Sequence, residues 1–204
     1  MSVGFPRLLG SINIFLMGYR LFDISGTDVT HHDLQDKGVW CIEGASKEEA
    51  FVRLYGSELD LVINPEKNTN PYAPDLLNTK NGKLGDLKTQ NTPFFQAGSR
   101  FGLNPQHTVV FNGKDRDRYR ALYPEIEIYF AVDWQVISFE SGNSKVNVEA
   151  MVGVWFIPFG ELDKMLEKAS FHSYRQRVYD NKGNAKGSYV LDLRDPAFRN
   201  VIKG

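Results

Sequence analysis

The chain has one cysteine, Cys41. This excludes an internal disulfide and any multi-cysteine zinc site, and it suits a reducing compartment. Long apolar runs are also missing. The segment 12–18, Ile-Asn-Ile-Phe-Leu-Met-Gly, is far shorter than the ~20 residues a spanning helix needs. Arg20 and Asp23 stand where a signal peptide would carry a small-residue cleavage site. The expectation is a soluble cytoplasmic protein with no membrane partner. Excess charge of one sign is absent: the formal net charge is −1, so there is no global basic field of the kind a nucleic-acid reader often carries. Repeats and low-complexity segments are absent as well. No Gly-x-Ser-x-Gly elbow, Walker loop or dinucleotide fingerprint occurs, so those chemistries lack their signatures here.

What is present suits one domain. The 204 residues are 42% hydrophobic and 24% charged, enough for a sizeable core under an ordinary surface. Residues 1–43 read as an N-terminal extension without an assigned role, 44–170 as the core, and 171–204 as a basic hairpin and tail. From Lys168 to Gly204, eight Lys or Arg against three Asp leave a net charge of +5, a source of phosphate contacts.

Ser46 followed by Glu49 is a capping box. It opens a helix whose stripe is Phe51, Val52, Leu54 and Tyr55, with Gly56 as its stop. The run 59–64 predicts a strand ended by Pro65. Two extended runs, 73–78 and 84–90, flank a loop whose Asn81-Gly82 is a hairpin signal. Further strands are expected over 107–111, 125–135 and 145–159, with a hairpin over 171–193. An amphipathic helix is expected over 160–168, and Asp195-Pro196 is read as the start of a short terminal helix. This order predicts an α/β fold, a central mixed β-sheet flanked by helices.

The chemistry-bearing pattern is Pro74-Asp75, ten intervening residues, then Asp86-Leu87-Lys88. On a strand, Asp86, Lys88 and Gln90 share a face while Leu87 and Thr89 take the other. If the two extended runs pair through the Asn-Gly loop, Asp75 lies near Asp86. Two carboxylates that close repel unless a cation sits between them. A hard ion such as Mg²⁺ (or Mn²⁺) prefers such oxygen ligands, lowers the pKa of water and polarises a phosphoryl oxygen. The Lys88 ammonium would then orient or help deprotonate the attacking water, or neutralise charge on the phosphorane. Helical phase puts Glu48 on the same side as Phe51, Val52 and Tyr55, and so makes it the additional acid, with Glu49 committed to the cap.

These residues resemble the PD-(D/E)XK nuclease superfamily, with Pro74-Asp75 and Asp86-Leu87-Lys88 matching its motif letter by letter. The resemblance spans about residues 44–135. It implies a restriction-endonuclease-like α-β-β-β-α-β core with β-rich C-terminal additions, and a Mg²⁺-dependent nuclease acting on DNA, with RNA as the other substrate. It implies Asp75, Asp86 and Glu48 as metal ligands and Lys88 as the catalytic lysine. Gln90 is similar to the glutamine some branches carry after the lysine. Many such nucleases pair up to cut two strands, so a homodimer is a further expectation.

Other features carry blander readings. His31, His32, Asp33 and Cys41 fit no zinc spacing; Cys41, between Trp40 and Ile42, reads as a small buried hydrophobe. Residues 114–120 alternate in sign and read first as a solvated loop or helix start. Their functional reading is phosphate contact by Arg116, Arg118 and Arg120, with Tyr119 stacking on a base. Arg175 and Arg177 would share a strand face and track a backbone. Phe94, Phe95, Phe101 and Trp134 read as packing residues. The competing classes are a nucleic-acid-binding module that does not cut, and a structural or interaction protein.

Overall fold

The computed structural model describes residues 18–30, 47–70, 72–173 and 187–204. Helix α1 (Lys47–Leu59) comes before β2 (Leu61–Ile63), β3 (Leu76–Asn78) and β4 (Leu84–Gln90). These three strands form an antiparallel meander. Gly82, at φ +71°, takes the left-handed position in the β3–β4 turn. Short α2 (Ala97–Phe101), β5 (Thr108–Asn112) and α3 (Gly113–Leu122) follow. Strand β6 (Glu127–Asp133) then returns parallel to β4. With β9 (Val152–Pro158) and β12 (Arg199–Lys203) the central mixed sheet has six strands, ordered β12-β9-β6-β4-β3-β2.

Strand β6 is buried along its whole length, which is why its sequence between Glu127 and Asp133 is continuously apolar or aromatic rather than alternating. Its alternate residues feed two cores. Ile128, Phe130 and Val132 pack with Phe111, Tyr119 and Leu162, the last on α4 (Phe159–Leu166). Tyr129 and Ala131 pack on the opposite face with Phe51 of α1 and Leu87 of β4. Two smaller sheets flank the centre. One joins β1 (Tyr19–Asp23), β7 (Val136–Ser141) and β8 (Ser144–Asn147); the other joins β10 (Ser170–His172), β11 (Ser188–Asp192) and β5. Among the described residues no helix is long and apolar enough to cross a membrane.

Several expectations need correction. Gly56 does not stop α1. A Cβ there would lie 2.6 Å from the Leu61 carbonyl oxygen and 2.9 Å from Val52 Cγ1, so this glycine lets the returning chain approach the helix. The helix ends three residues later, and Asp60 turns the chain at φ +57°. The run 145–159 is two strands in different sheets, β8 and β9. Gln106 takes up the break by accepting from the Glu149 amide at 2.7 Å. Residues 195–198 make a turn rather than a helix: Asp195 accepts from the Ala197 amide, and Phe198 donates back to the Asp195 carbonyl. Burial of Phe198 edge-on against Phe130, with edge pairing of β12 on β9, overrides the local helix-start signal. Within 1–40, β1 and its pairing with β7 were not anticipated. Ser46, His31, His32, Asp33, Cys41, Arg175, Arg177 and the tip of the 171–193 hairpin lie outside the described residues; its flanking strands β10 and β11 do pair antiparallel.

Candidate functional site

The Pro74-Asp75 backbone is fixed by Asn64. The Asn64 side-chain amide donates to the Pro74 carbonyl at 2.9 Å, and its backbone amide donates to the Asp75 carbonyl at 2.9 Å. The same residue caps the 3-10 turn Pro65–Asn68 by accepting from the Glu66 amide. One asparagine therefore ties the Asp75 segment to the turn that carries Lys67. Strand β3 pairs with β4 as far as Leu76–Gly85, and one further step of that register sets Asp75 opposite Asp86. Beyond it, Asp75 Oδ2 accepts from the Leu87 amide at 3.1 Å.

Asp86 and Lys88 share one face of β4, with Lys88 Nζ 2.7 Å from Asp86 Oδ2. Asp86 is only 3% exposed. Helix α3, capped by Asn112, brings Asp115, Arg118 and Tyr119 over this face; their i, i+3, i+4 spacing puts them on one side of the helix. Lys88 donates to Asp115 and, at 3.3 Å, to the Tyr119 hydroxyl. Arg118 donates to the Tyr119 hydroxyl at 2.8 Å and reaches Asp86 Oδ1 at 3.5 Å. From the other side Lys67 bonds to Asp75 and lies 3.6 Å from Glu48 Oε1. Glu48 thus reaches the cluster, whereas Glu49 is exposed.

The electrostatics follow from burial and neighbours. Burial lifts the Asp86 carboxyl above its ordinary range; Lys88 opposes this and the Asp75 charge adds to it. Burial alone would lower Lys88. Asp86, Tyr119 and Asp115 outweigh it and hold the ammonium well above its usual value. Lys67 is raised in the same way, Asp75 and Glu48 overcoming its burial. Burial pushes the Tyr119 hydroxyl far up, so it stays protonated and donates.

The remaining candidates are placed as follows. Gln90 spends both halves of its amide on the Val110 backbone, donating at 2.9 Å and accepting at 3.2 Å, and so ties β4 to the β5–α3 unit. Arg116 is buried and donates to Asp163 at 2.7 Å and to the Tyr189 hydroxyl at 2.7 Å. Arg120 donates to Asp163 at 2.8 Å. Tyr119 is fully buried and cannot stack on a base, contrary to the sequence reading. Phe95 and Trp134 are core residues, while Phe94 and Phe101 form a partly exposed ring group with His172.

Sequence reasoning missed Asn64, Lys67, Asp115 and the buried role of Tyr119. Asn64-Pro65 is a readable cap signal, but nothing local tells that Lys67 meets Glu48. The one-face spacing of Asp115, Arg118 and Tyr119 was readable once residues 113–122 are taken as a helix.

The donor set suits a hard cation. Glu48, Asp75 and Asp86 offer only oxygens. Asp86 Oδ2 is buried without a well-directed hydrogen bond, although the Lys88 ammonium lies 2.7 Å away, so it keeps lone pairs to offer. Among the described residues no three acidic, histidine or cysteine side chains are grouped closely enough to hold an ion as they stand. Lys67 fills the space between Glu48 and Asp75, and Lys88 that between Asp86 and Asp115. No protein-family model matches this chain, and neither a curated protein nor a solved structure does.

Proposed function

We propose that the chain is a divalent-metal-dependent nuclease hydrolysing phosphodiester bonds, with DNA as the expected substrate. The observation that supports this reading is that Lys67 joins Glu48 to Asp75 while Lys88 joins the buried Asp86 to Asp115, with the Asp75 charge close enough to act on Asp86. The supporting scaffold has the order α1, β2, β3, β4, α3, β6, with β4 parallel to β6. Once α2 and β5, which lie between β4 and α3, are set aside, this order is similar to the α-β-β-β-α-β succession expected of a PD-(D/E)XK core, and it supports the reading to that extent.

Glu48, Asp75 and Asp86 would hold Mg²⁺ or Mn²⁺. When bound, the ion acidifies water and polarises the scissile phosphoryl group. The chain's own residues do the rest. Lys88, held protonated by Asp86 and Asp115, serves as a fixed donor and positive charge, not as a base. It orients the attacking water and stabilises charge on the phosphorane, a preorganised electrostatic role. Tyr119 and Arg118 keep that ammonium in place. Gln90 holds the end of β4 rather than touching the reacting atoms.

A second reading is favoured by one observation: each carboxylate of the cluster already faces a lysine or arginine. Such a network can stand without a metal, as expected of a module that does not cut, whether it binds nucleic acid or serves a structural role. Incubation of the purified chain with plasmid and linear DNA separates the two. The nuclease reading expects cleavage with Mg²⁺ or Mn²⁺ and none with EDTA. Retarded but intact DNA under every condition supports the binding module instead.

A further inference from the structure

We propose that Lys67 is a tethered cation occupying the divalent-ion position between Glu48 and Asp75, and that it moves onto the substrate phosphate when an ion takes that position. The proposal rests on the metal-dependent reading above and deepens it by assigning a residue outside the recognised motif.

Three observations lead to it. The Lys67 ammonium contacts both Glu48 and Asp75, the two carboxylates that approach from opposite elements, α1 and the segment leading into β3. Its side chain is 24% exposed, so it is not sealed into the core. Its backbone is not free: Asn64 ties the Pro65–Asn68 turn to the Pro74 and Asp75 carbonyls. A lysine on a fixed base, with a flexible four-carbon stem and a compact charge, can exchange one anionic partner for another.

The exchange conserves charge pairing. With no divalent ion, Glu48 and Asp75 repel, and Lys67 relieves that repulsion. A divalent ion makes the same contacts with twice the charge, leaving the ammonium without its partners. A phosphodiester brought to the ion then supplies a new anion beside the fixed turn. In the empty state Lys67 competes with the metal; in the loaded state it contributes to substrate affinity. Lys88 cannot play this part, since Asp115 and Tyr119 on α3 hold it from the far side.

The test uses the full chain and two readouts other than cleavage. Calorimetric titration with Mn²⁺ compares wild type, Lys67→Met and Lys164→Met; the last removes the same charge from an exposed position on α4. DNA affinity is then measured with Ca²⁺ in place of the catalytic ion. The proposal expects Lys67→Met to bind Mn²⁺ more tightly by about tenfold, the scale on which groups beside a metal site move its affinity. Lys164→Met should match wild type, and Lys67→Met should bind DNA more weakly in Ca²⁺. A wild type that takes no Mn²⁺ while Lys67→Met does is the same result at its extreme. Mn²⁺ affinity unchanged or weakened in Lys67→Met, with binding intact in wild type, overturns the tethered cation and leaves the nuclease reading standing. Tighter Mn²⁺ binding with undiminished DNA affinity overturns the phosphate contact. No Mn²⁺ binding by any variant overturns both this proposal and the metal-dependent reading. Lys67→Gln, which keeps a hydrogen-bond donor for Asp75 without the charge, serves if Lys67→Met does not fold.

Discussion

Lys88 has a structural role that can be measured apart from its proposed catalytic one. It is buried between Asp86 and Asp115, so Lys88→Met leaves two carboxylates facing each other, with Arg118 the remaining cation near both among the described residues. The expected cost in a urea melt is about 3–5 kcal/mol, the loss that follows removal of one partner from a buried pair. The double variant Asp86→Asn/Lys88→Met should lose less than Lys88→Met alone, because the uncompensated charge has gone with the ammonium. A loss of under about 1 kcal/mol, the worth of an exposed pair, would contradict the burial described. At this scale the motif residues were legible because strand alternation and helical phase are local: Asp86 and Lys88 two apart on β4, Glu48 one turn from Phe51 and Val52. Lys67 and Asp115 were not, because their partners are Glu48 and Lys88, residues distant in sequence that only the fold brings near.

Helices α3 and α4 are held together by Asp163, which accepts from Arg116 and Arg120. Burial would raise this carboxyl, but the two guanidinium hydrogen bonds outweigh it and leave it below its ordinary value. A depressed folded value means stabilisation that is present above the unfolded value, about 3.9, and lost as pH falls through the folded one. Asp163→Asn should therefore cost about 1.5–3 kcal/mol at pH 7, the range for hydrogen bonds to charged groups. The gap to wild type should narrow in acid. Urea melts at pH 7 and in acid below the unfolded value check this; an equal gap at both would remove Asp163 from the acid response. Elements with a strong period or uniform burial, such as α4 and β6, were legible in sequence. The failures are equally specific. Gly56 was read as a stop because local rules do not register the Leu61 carbonyl against the helix. Residues 195–198 were read as a helix because the burial of Phe198 and pairing on β9 are tertiary.

At the scale of the whole molecule, the central sheet buries both faces, and the candidate site lies where β3 and β4 meet α1 on one side and α3 on the other. The mixed sheet with flanking helices was legible from element order; the two accessory sheets were not, because β1 and β5 pair with strands distant in sequence. With a formal net charge of −1, long-range attraction to nucleic acid is small, so under the proposed function a substrate would have to be captured by local cations and by an ion in the site. The proposed role of Asp86 is to hold a catalytic divalent ion. Its most direct test is single-turnover cleavage of end-labelled duplex DNA in Mg²⁺ by wild type and Asp86→Asn, each verified as folded by circular dichroism. If Asp86 has that role, wild type cuts and Asp86→Asn loses rate by on the order of 10² or more, the scale on which removing one preorganised electrostatic contact acts. A folded Asp86→Asn that cuts at the wild-type rate would contradict it.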